Sequence, residues 1–234
     1  MYTFNTRVSY SRLDKNNKVP YYEIMNYLQD CSTFQSEELG AGVEYMKAVN
    51  RAWVVLAYKI KFLGQLNLRD EICIGTAPND FGKVSAKRQY FIKNKKGDYL
   101  VKAEAMWALI ELERRTPVRI QEEDIRMYLP EIIFDDVKVS RKIKFNGDKK
   151  KMPEFRVLRS HIDGNGHMNN ANYLRAAEEY LPEIKNYREL EIVYNKEALE
   201  GDMIIPYIYE EQDGLGISFE SQSGELHTKI KLIQ

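Results

Sequence analysis

Residues 163–173 read Asp163-Gly-Asn-Gly-His167-Met-Asn-Asn170-Ala-Asn-Tyr173, a glycine-rich polar turn that leads into the start of a helix. The two glycines let the backbone bend within the turn. Asn169 or Asn170 is a favoured N-cap residue, and the helix is expected to continue to Leu181, with Pro182 marking its end. The pattern therefore predicts polar side chains at a helix N-terminus, where unpaired N–H groups and the positive end of the helix dipole lie.

The residues around this stretch follow an order that occurs twice in the chain. In the second half, a strand-like run precedes the turn and four follow the helix: Glu154–Ser160, then Leu190–Glu197, Asp202–Glu210, Leu215–Ser221 and Leu226–Ile233. In the first half, an apolar run, a helix that begins at Pro20 and four strand-like runs follow one another: Tyr2–Tyr10, then Ala52–Leu63, Glu71–Ala77, Lys83–Lys93 and Tyr99–Glu111. The runs are rich in β-branched and aromatic residues and are separated by turn residues, which is typical of antiparallel strands.

Strand, helix and four strands, written twice, predict an α+β fold of the tandem hotdog type. In this arrangement each of two curved antiparallel sheets wraps around a central helix, and the two units pack as a pseudo-dimer because each alone leaves a sheet edge unpaired. We expect an N-terminal hotdog in residues 1–130, a linker in 131–153 that crosses the surface, and a C-terminal hotdog in 154–234.

Composition excludes several classes of function. The 234 residues carry 35 basic and 35 acidic side chains, and a net charge of zero argues against general binding of nucleic acid. No run approaches about 18 apolar residues, so we expect no membrane span, and the N-terminus lacks a signal-peptide run. Cys31 and Cys73 match no metal-ligand spacing, and we expect no metal and no cofactor. A cytoplasmic protein with reduced thiols is the expectation.

Landmarks along most of the chain resemble the acyl-[acyl carrier protein] thioesterases of plant plastids and bacteria. The landmarks are Asn50-Arg-Ala-Trp53-Val-Val, Lys87-Arg-Gln-Tyr-Phe91, Ala103-Glu-Ala-Met-Trp107, Glu113-Arg-Arg-Thr-Pro117, Arg159-Ser-His-Ile-Asp163 through Tyr173, and Tyr194-Asn-Lys-Glu197-Ala198. Their order and approximate spacing are those of the family. Plant members carry a cysteine directly after the glutamate, where this sequence has Ala198. That cysteine is therefore not essential to an active protein with this sequence.

The resemblance implies a catalytic network of Asp163, Asn165, His167 and Glu197. Histidine suits proton transfer near neutral pH, so His167 and Glu197 are expected to activate a water that attacks the thioester. Asn165 would donate to the carbonyl oxygen or hold the water, and Asp163 would orient its neighbours. An anhydride formed on Glu197 is the alternative mechanism. Taken alone, His167 would be a structural histidine and Glu197 a surface charge, and only their joint occurrence with the other landmarks favours catalysis.

The same resemblance places the acyl chain in the first unit and implies an acyl carrier protein as partner. Candidate substrate-binding residues, each of which is otherwise simply core, are Tyr27, Leu28, Cys31, Trp53, Val55 and Met106, with Asn169 and Asn170 at the site itself. Between Lys138 and Arg159 there are nine basic and two acidic residues, which would either attract an acidic carrier protein or keep a linker soluble. An acyl-coenzyme A thioesterase and a non-catalytic acyl-binding regulator are the alternative functions, and a homodimer is possible.

Overall fold

The computed structural model of the chain describes residues 1–181 and 187–234 and divides the chain into two compact units, Met1–Val139 and Ser140–Gln234. Each unit contains antiparallel strands and few helices, so the fold class is α+β. Within the described residues, no helix is both long enough and apolar enough to cross a membrane. The prediction that Pro182 ends a helix falls outside the described residues.

The first unit is a six-stranded antiparallel sheet with a long helix. Its strands are β1 (Tyr2–Arg7), β2 (Arg51–Phe62), β3 (Glu71–Phe81), β4 (Ala86–Asn94), β5 (Tyr99–Glu111) and the short β6 (Thr116–Pro117), and its helices are α1 (Tyr21–Glu38), α2 (Val43–Ala48) and α3 (Glu122–Ile125). The sheet order is β1-β3-β4-β5-β2, and β6 pairs with β5. The predicted helix and all four long strands of this half are therefore present.

Helix α1 packs against β1 and β3 through a stripe of side chains spaced three or four residues apart. Ile24, Leu28 and Cys31 lie on this stripe and are at most 4% exposed. Burial of a leucine or isoleucine side chain contributes about 2 kcal/mol, so a few such residues hold the helix on the sheet. Pro20 is the N-cap residue of α1, and the first helical residue is Tyr21.

Two strands of the first unit differ from the sequence prediction at the β3–β4 hairpin. The prediction ends β3 at Ala77, but the strand continues through Pro78 to Phe81. The register with β4 shifts between Pro78 and Asp80, and a bulge of this kind is where a strand tolerates proline. Lys83, expected to begin β4, lies instead in the hairpin turn that the Gly82 N–H closes by donating to the Ser85 carbonyl at 2.8 Å.

Residues 131–139, which the sequence places in a linker, pack on the first unit. The Gln89 side chain accepts from the Ile133 N–H at 2.8 Å and donates to the Phe134 carbonyl at 2.7 Å. The buried Glu104 carboxylate accepts from the Val139 N–H at 2.8 Å. Two long side chains of the sheet therefore satisfy several backbone polar groups of this segment, and the Glu131 N–H donates to the Pro78 carbonyl of β3 at 2.8 Å.

The second unit repeats the antiparallel sheet with a shorter helix. Its elements are β7 (Lys149–Lys151), β8 (Phe155–Arg156), α4 (Asn170–Glu178), β9 (Glu189–Tyr194), β10 (Met203–Glu211), β11 (Gly214–Ser221) and β12 (Leu226–Ile233). The order is β9-β12-β11-β10, and both β7 and β8 pair with β10. The lysine triplet of the predicted linker is thus a strand.

The predicted strand Glu154–Ser160 is wrong beyond its first residues. Only Phe155 and Arg156 pair with β10, because their partners Ile204 and Met203 are the first residues of that strand. Beyond Arg156 no strand backbone is available, and the chain instead forms a 3₁₀ turn over 159–161. This turn brings the chain to the glycine-rich stretch.

Candidate active site

Residues Asp163–His167 form a tight loop, here called the glycine loop. A single antiparallel bridge between Ile162 and Met168 closes it, and the Asp163 N–H donates to the His167 carbonyl at 3.0 Å. Inside the loop the Asp163 carboxylate accepts from the Asn165 N–H at 2.8 Å. Gly166 has φ +84°, a conformation that side-chain-bearing residues rarely adopt. The sequence therefore folds here into a loop whose two ends are held together and whose tip is exposed.

Helix α4 begins directly after the loop. Asn169 is its N-cap residue, since its side-chain oxygen accepts from the Ala171 N–H at 2.8 Å, which decides between the two predicted caps. Asn170 is the first helical residue, and its carbonyl accepts from the Tyr194 hydroxyl at 3.2 Å. The helix buries Tyr173 and Leu174 and ends at Glu178, three residues before the predicted end. It ends there because the N–H groups of Tyr180 and Leu181 donate to carbonyls three residues earlier in the chain, whereas an α-helix requires four.

Glu197 reaches the loop from the segment after β9. The sequence prediction puts Glu197 at the end of that strand, but β9 ends at Tyr194, and the segment then turns toward the loop. The Met168 N–H donates to the Ala198 carbonyl at 2.8 Å. A backbone hydrogen bond therefore ties the residue after His167 to the residue after Glu197.

The imidazole of His167 lies between two carboxylates. Its Nε2 is 3.5 Å from Glu197 Oε1, and its Nδ1 is 4.0 Å from Asp163 Oδ1. The His167 side chain is 15% exposed, Asp163 19% and Glu197 37%, so the site opens to solvent on the Glu197 side. Both distances exceed those of direct hydrogen bonds, and catalytic contacts of this kind commonly tighten only when substrate binds. Either ring nitrogen of His167 can therefore take part in proton transfer, because a carboxylate oxygen lies beside each of them.

The four predicted catalytic residues lie on two short segments. Asp163, Asn165 and His167 share the glycine loop, and Glu197 approaches from the other segment. Asn165 is exposed at the loop tip, two residues from His167, and its backbone N–H is occupied by Asp163. Its side chain is therefore open to solvent.

Family models match both halves of the chain. Residues 1–128 match the acyl-ACP thioesterase N-terminal domain, and residues 145–233 match the acyl-ACP thioesterase C-terminal domain. The chain belongs to the acyl-ACP thioesterase family. Membership makes it a thioester hydrolase, and both the glycine loop and Glu197 lie in the half that matches the C-terminal domain of the family.

Solved structures of acyl-ACP thioesterases resemble this member of the family over almost its whole length. An acyl-ACP thioesterase from Bacteroides thetaiotaomicron is 19% identical with a TM-score of 0.87, covering 99% of this chain and 96% of that one. A putative oleoyl thioesterase from Lactobacillus plantarum is 20% identical with a TM-score of 0.87, covering 99% and 94%. The 12:0-ACP thioesterase from Umbellularia californica is 14% identical with a TM-score of 0.83, covering 99% and 96%. These likenesses show the fold. None of the curated proteins matches the chain in sequence.

Within this acyl-ACP thioesterase, the residues predicted to bind the acyl chain all lie in the first unit. Tyr27 and Leu28 are buried on α1, where Cys31 joins them, and Val55 is buried on β2. Trp53 and Met106 are half-buried, and Trp53 packs against a cluster that contains Leu109. The Tyr27 hydroxyl is buried without a hydrogen-bond partner in the described part of the chain, and the Arg12 guanidinium lies 4.7 Å from the centre of its ring.

Two residues around the thioesterase site were not assigned a role from sequence. Tyr194 anchors the first residue of α4, and His227 bonds to the segment that carries Glu197. The sequence leaves His227 as either structural or exposed, and its exposed fraction of 3% supports the structural alternative. A histidine near the start of a strand of mixed polar and apolar residues was the available signal, and it did not indicate what the imidazole contacts.

Proposed function

We propose that this thioester hydrolase releases free fatty acid from acyl-ACP by direct attack of a water that Glu197 and His167 activate. The observation that carries the proposal is the imidazole placed 3.5 Å from one carboxylate and 4.0 Å from another at the N-terminus of a helix. A neutral imidazole can accept a proton at one ring nitrogen and release one from the other. The reaction ends elongation of the fatty acyl chain.

In the proposed reaction Glu197 and His167 accept a proton while the water oxygen bonds to the carbonyl carbon. The carbon–sulfur bond then breaks, and the departing thiolate takes up the proton as a free thiol. Negative charge develops on the carbonyl oxygen, and a positioned donor lowers that barrier by roughly 3 kcal/mol. The Asn165 amide and the N–H groups at the start of α4 are the donors we assign, with Asn169 and Asn170 fixing that helix start. Asp163 holds the loop through the Asn165 N–H.

Direct attack by water is preferred to an acyl intermediate on a neighbouring cysteine because the residue after Glu197 is a buried alanine. Ala198 is 0% exposed and offers no nucleophile. Both cysteines of the chain, Cys31 and Cys73, lie in the first unit. An anhydride on Glu197 is the rival, and pre-steady-state kinetics separate the two. Water attack releases thiol and acid together, whereas an anhydride gives a burst of thiol before acid appears.

We further propose that each unit is a hotdog and that the two form a pseudo-dimer. In this proposal residues 1–130 hold the acyl chain, 131–153 connect the units and 154–234 carry the chemistry. The buried stripe of α1 on the first sheet and the repeat of a helix with antiparallel strands in the second unit support it. Tyr27, Leu28, Trp53 and Met106 are the residues we assign to the acyl chain. A homodimer and a cytoplasmic location are further proposals.

The partner that we propose is an acidic carrier protein that binds near β7. Lys150 and Lys151 are exposed on this strand, while Lys149 is engaged by Glu220 at 2.8 Å and lies 3.8 Å from the centre of the Tyr207 ring. Exposed lysines attract an acidic surface most strongly at low ionic strength. Reversing the charge of Lys150 and Lys151 should raise KM for acyl-ACP and weaken its salt dependence, whereas the same change at exposed Lys96 should not. Equal salt dependence in all three proteins would contradict docking here.

The experiment that tests the function supplies the purified protein with acyl-ACP and acyl-coenzyme A of graded chain length. Free thiol and free acid are quantified in each reaction. We expect equal amounts of the two products and a higher kcat/KM with the carrier protein. Faster turnover of the coenzyme A thioester would assign the coenzyme A function instead. Binding of acyl-ACP without release of either product would assign a non-catalytic acyl-binding protein.

A further inference from the structure

The residues on both sides of Glu197 are each fixed by a hydrogen bond from a different element. On one side, the His227 imidazole Nδ1 lies 3.2 Å from the Lys196 carbonyl oxygen. On the other side, the Ala198 carbonyl accepts from the Met168 N–H at 2.8 Å. Glu197 is therefore the residue between two anchored peptide groups, one tied to β12 and one tied to the end of the glycine loop.

His227 also holds this segment through its backbone. Its carbonyl accepts from the N–H groups of both Asn195 at 2.8 Å and Lys196 at 3.2 Å. Two successive N–H groups that share one acceptor cannot both continue a strand ladder, so β9 ends at Tyr194 and the chain turns toward the loop. The early end of β9 at Tyr194, which the sequence did not predict, therefore brings Glu197 to the glycine loop.

The chemistry of the contact defines the state of the His227 ring. A peptide carbonyl can only accept a hydrogen bond. The Nδ1 atom of His227 therefore carries a hydrogen and donates a hydrogen bond to the Lys196 carbonyl oxygen. The ring is 3% exposed, and a buried donor of this kind keeps its bond because water is not available to replace it. By contrast, the side-chain ion pair of Lys196 with Glu225 is half exposed, and such pairs contribute little.

We infer that His227 is a positioning residue that sets the distance between Glu197 and His167. The inference rests on the proposed role of Glu197 in activating water. Its imidazole acts through the Lys196 peptide group, and it does not take part in the proton transfer. Misplacement of a catalytic group by about 1 Å costs on the order of 100-fold in rate, so loss of this bond should lower kcat strongly. KM should change little, because no contact with the acyl chain is altered.

Four variants test the inference in steady-state hydrolysis of acyl-ACP, with the melting temperature of each measured. His227→Asn can place an amide N–H where Nδ1 lies, whereas His227→Leu removes the donor. Lys196→Met removes only the exposed ion pair. Ile230→Val shortens a fully buried side chain on the same strand and reports what a loss of stability alone does. We expect kcat to fall at least 10-fold in His227→Leu, to recover in His227→Asn, and to stay near wild type in the two controls.

The decisive comparison combines His227→Leu with Glu197→Ala. If His227 acts through Glu197, the double variant is no slower than Glu197→Ala, since residues that act as a unit are not additive. A further loss equal to that of the single His227 variant would show a merely structural role and overturn the inference. Wild-type kcat in His227→Leu alongside a strong loss in Glu197→Ala would overturn it while leaving the proposed function intact. Wild-type kcat in Glu197→Ala would overturn both. If His227→Leu does not fold, the same comparison is made with His227→Gln, which places its donor away from Nδ1.

Discussion

The Met168 N–H donates to the Ala198 carbonyl at 2.8 Å, and this bond joins the segment that carries His167 to the segment that carries Glu197. Each residue of the bonded pair directly follows one of the two proposed catalytic residues. The bond therefore sets how closely imidazole and carboxylate approach without involving either side chain. Ala198 is fully buried at this junction, so there is little room for a larger residue.

Ala198 provides the first prediction. Ala198→Leu should slow turnover and lower stability by about 1–3 kcal/mol, because extra methyl groups at a packed site push the two segments apart. Ala198→Cys adds only a sulfur and should keep most of the activity, without a burst of thiol. Rapid-quench kinetics and urea denaturation measure both effects. A faster Cys variant with a thiol burst would indicate a nucleophilic role for this position and would contradict water attack.

Asn169 provides a prediction about the helix start. Asn169→Ala removes the acceptor for the Ala171 N–H and should lower the free energy of unfolding by about 1 kcal/mol. Because the loop and helix are continuous, kcat should fall as well. Asn169→Asp keeps a side-chain acceptor and is the matched control, expected to restore stability. An unchanged urea midpoint in the alanine variant would mean that the cap does not hold the helix in solution.

His161 gives a pH-dependent prediction. Burial, assisted by the charge of Arg175, lowers the pKa of His161 below its ordinary value of 6.5, and its Nδ1 accepts from the Leu158 N–H at 3.1 Å. The folded protein therefore prefers the neutral ring. The contribution of the neutral ring to the free energy of unfolding is complete above pH 6.5 and is lost as the pH falls below that value. Below pH 6.5 the unfolded chain binds a proton at His161 more readily than the folded chain does, and this favours unfolding.

The measurement compares urea midpoints of the wild type and His161→Asn between about pH 7.5 and about pH 5.5. Asparagine can still accept from the Leu158 N–H but does not titrate. The wild type should lose more stability than the variant over this interval. The same loss in both proteins would show that His161 is not responsible.

Cys31 gives a prediction about thiol chemistry. Burial raises the pKa of its thiol to about 12, and its side chain is 0% exposed. Only the thiolate reacts with alkylating reagents, so Cys31 should resist iodoacetamide in the native protein near pH 8 and react once the chain is unfolded in urea. Mass spectrometry of digested protein reads out both states, with unfolded protein as the control. Rapid native alkylation of Cys31 would contradict its burial.

The pattern of apolar residues predicts the ends of a strand well where a neighbouring strand is about as long as the strand itself. Tyr99–Glu111 and Leu226–Ile233 have the predicted ends, because each run is rich in apolar residues and begins just after a turn, at Gly97-Asp98 and at Ser223-Gly224. Predictions fail where an end depends on a distant residue. Phe155–Arg156 stops where β10 begins, which no local pattern can indicate.

In the candidate site, too, features set by neighbouring residues could be predicted, whereas features set by distant residues could not. The loop residues are adjacent in the sequence, and their glycines and N-cap predict their geometry directly. Glu197 could be associated with them only through the family resemblance. Residues 131–139 are held by Gln89 and Glu104 from more than thirty residues away, so their packing could not be predicted from composition. The contact of His227 with Lys196 could not be predicted for the same reason, since it joins distant positions.

The pairing of His167 with Glu197 is tested most directly by the initial rate of free thiol release from acyl-ACP. Wild type, His167→Ala and Glu197→Ala are compared, with melting temperatures measured to establish that each variant is folded. Positioned proton transfer contributes at least about 100-fold, so each variant should lose at least about 10-fold in kcat while melting as the wild type does. A folded Glu197→Ala or His167→Ala protein with the wild-type rate would contradict the proposed mechanism.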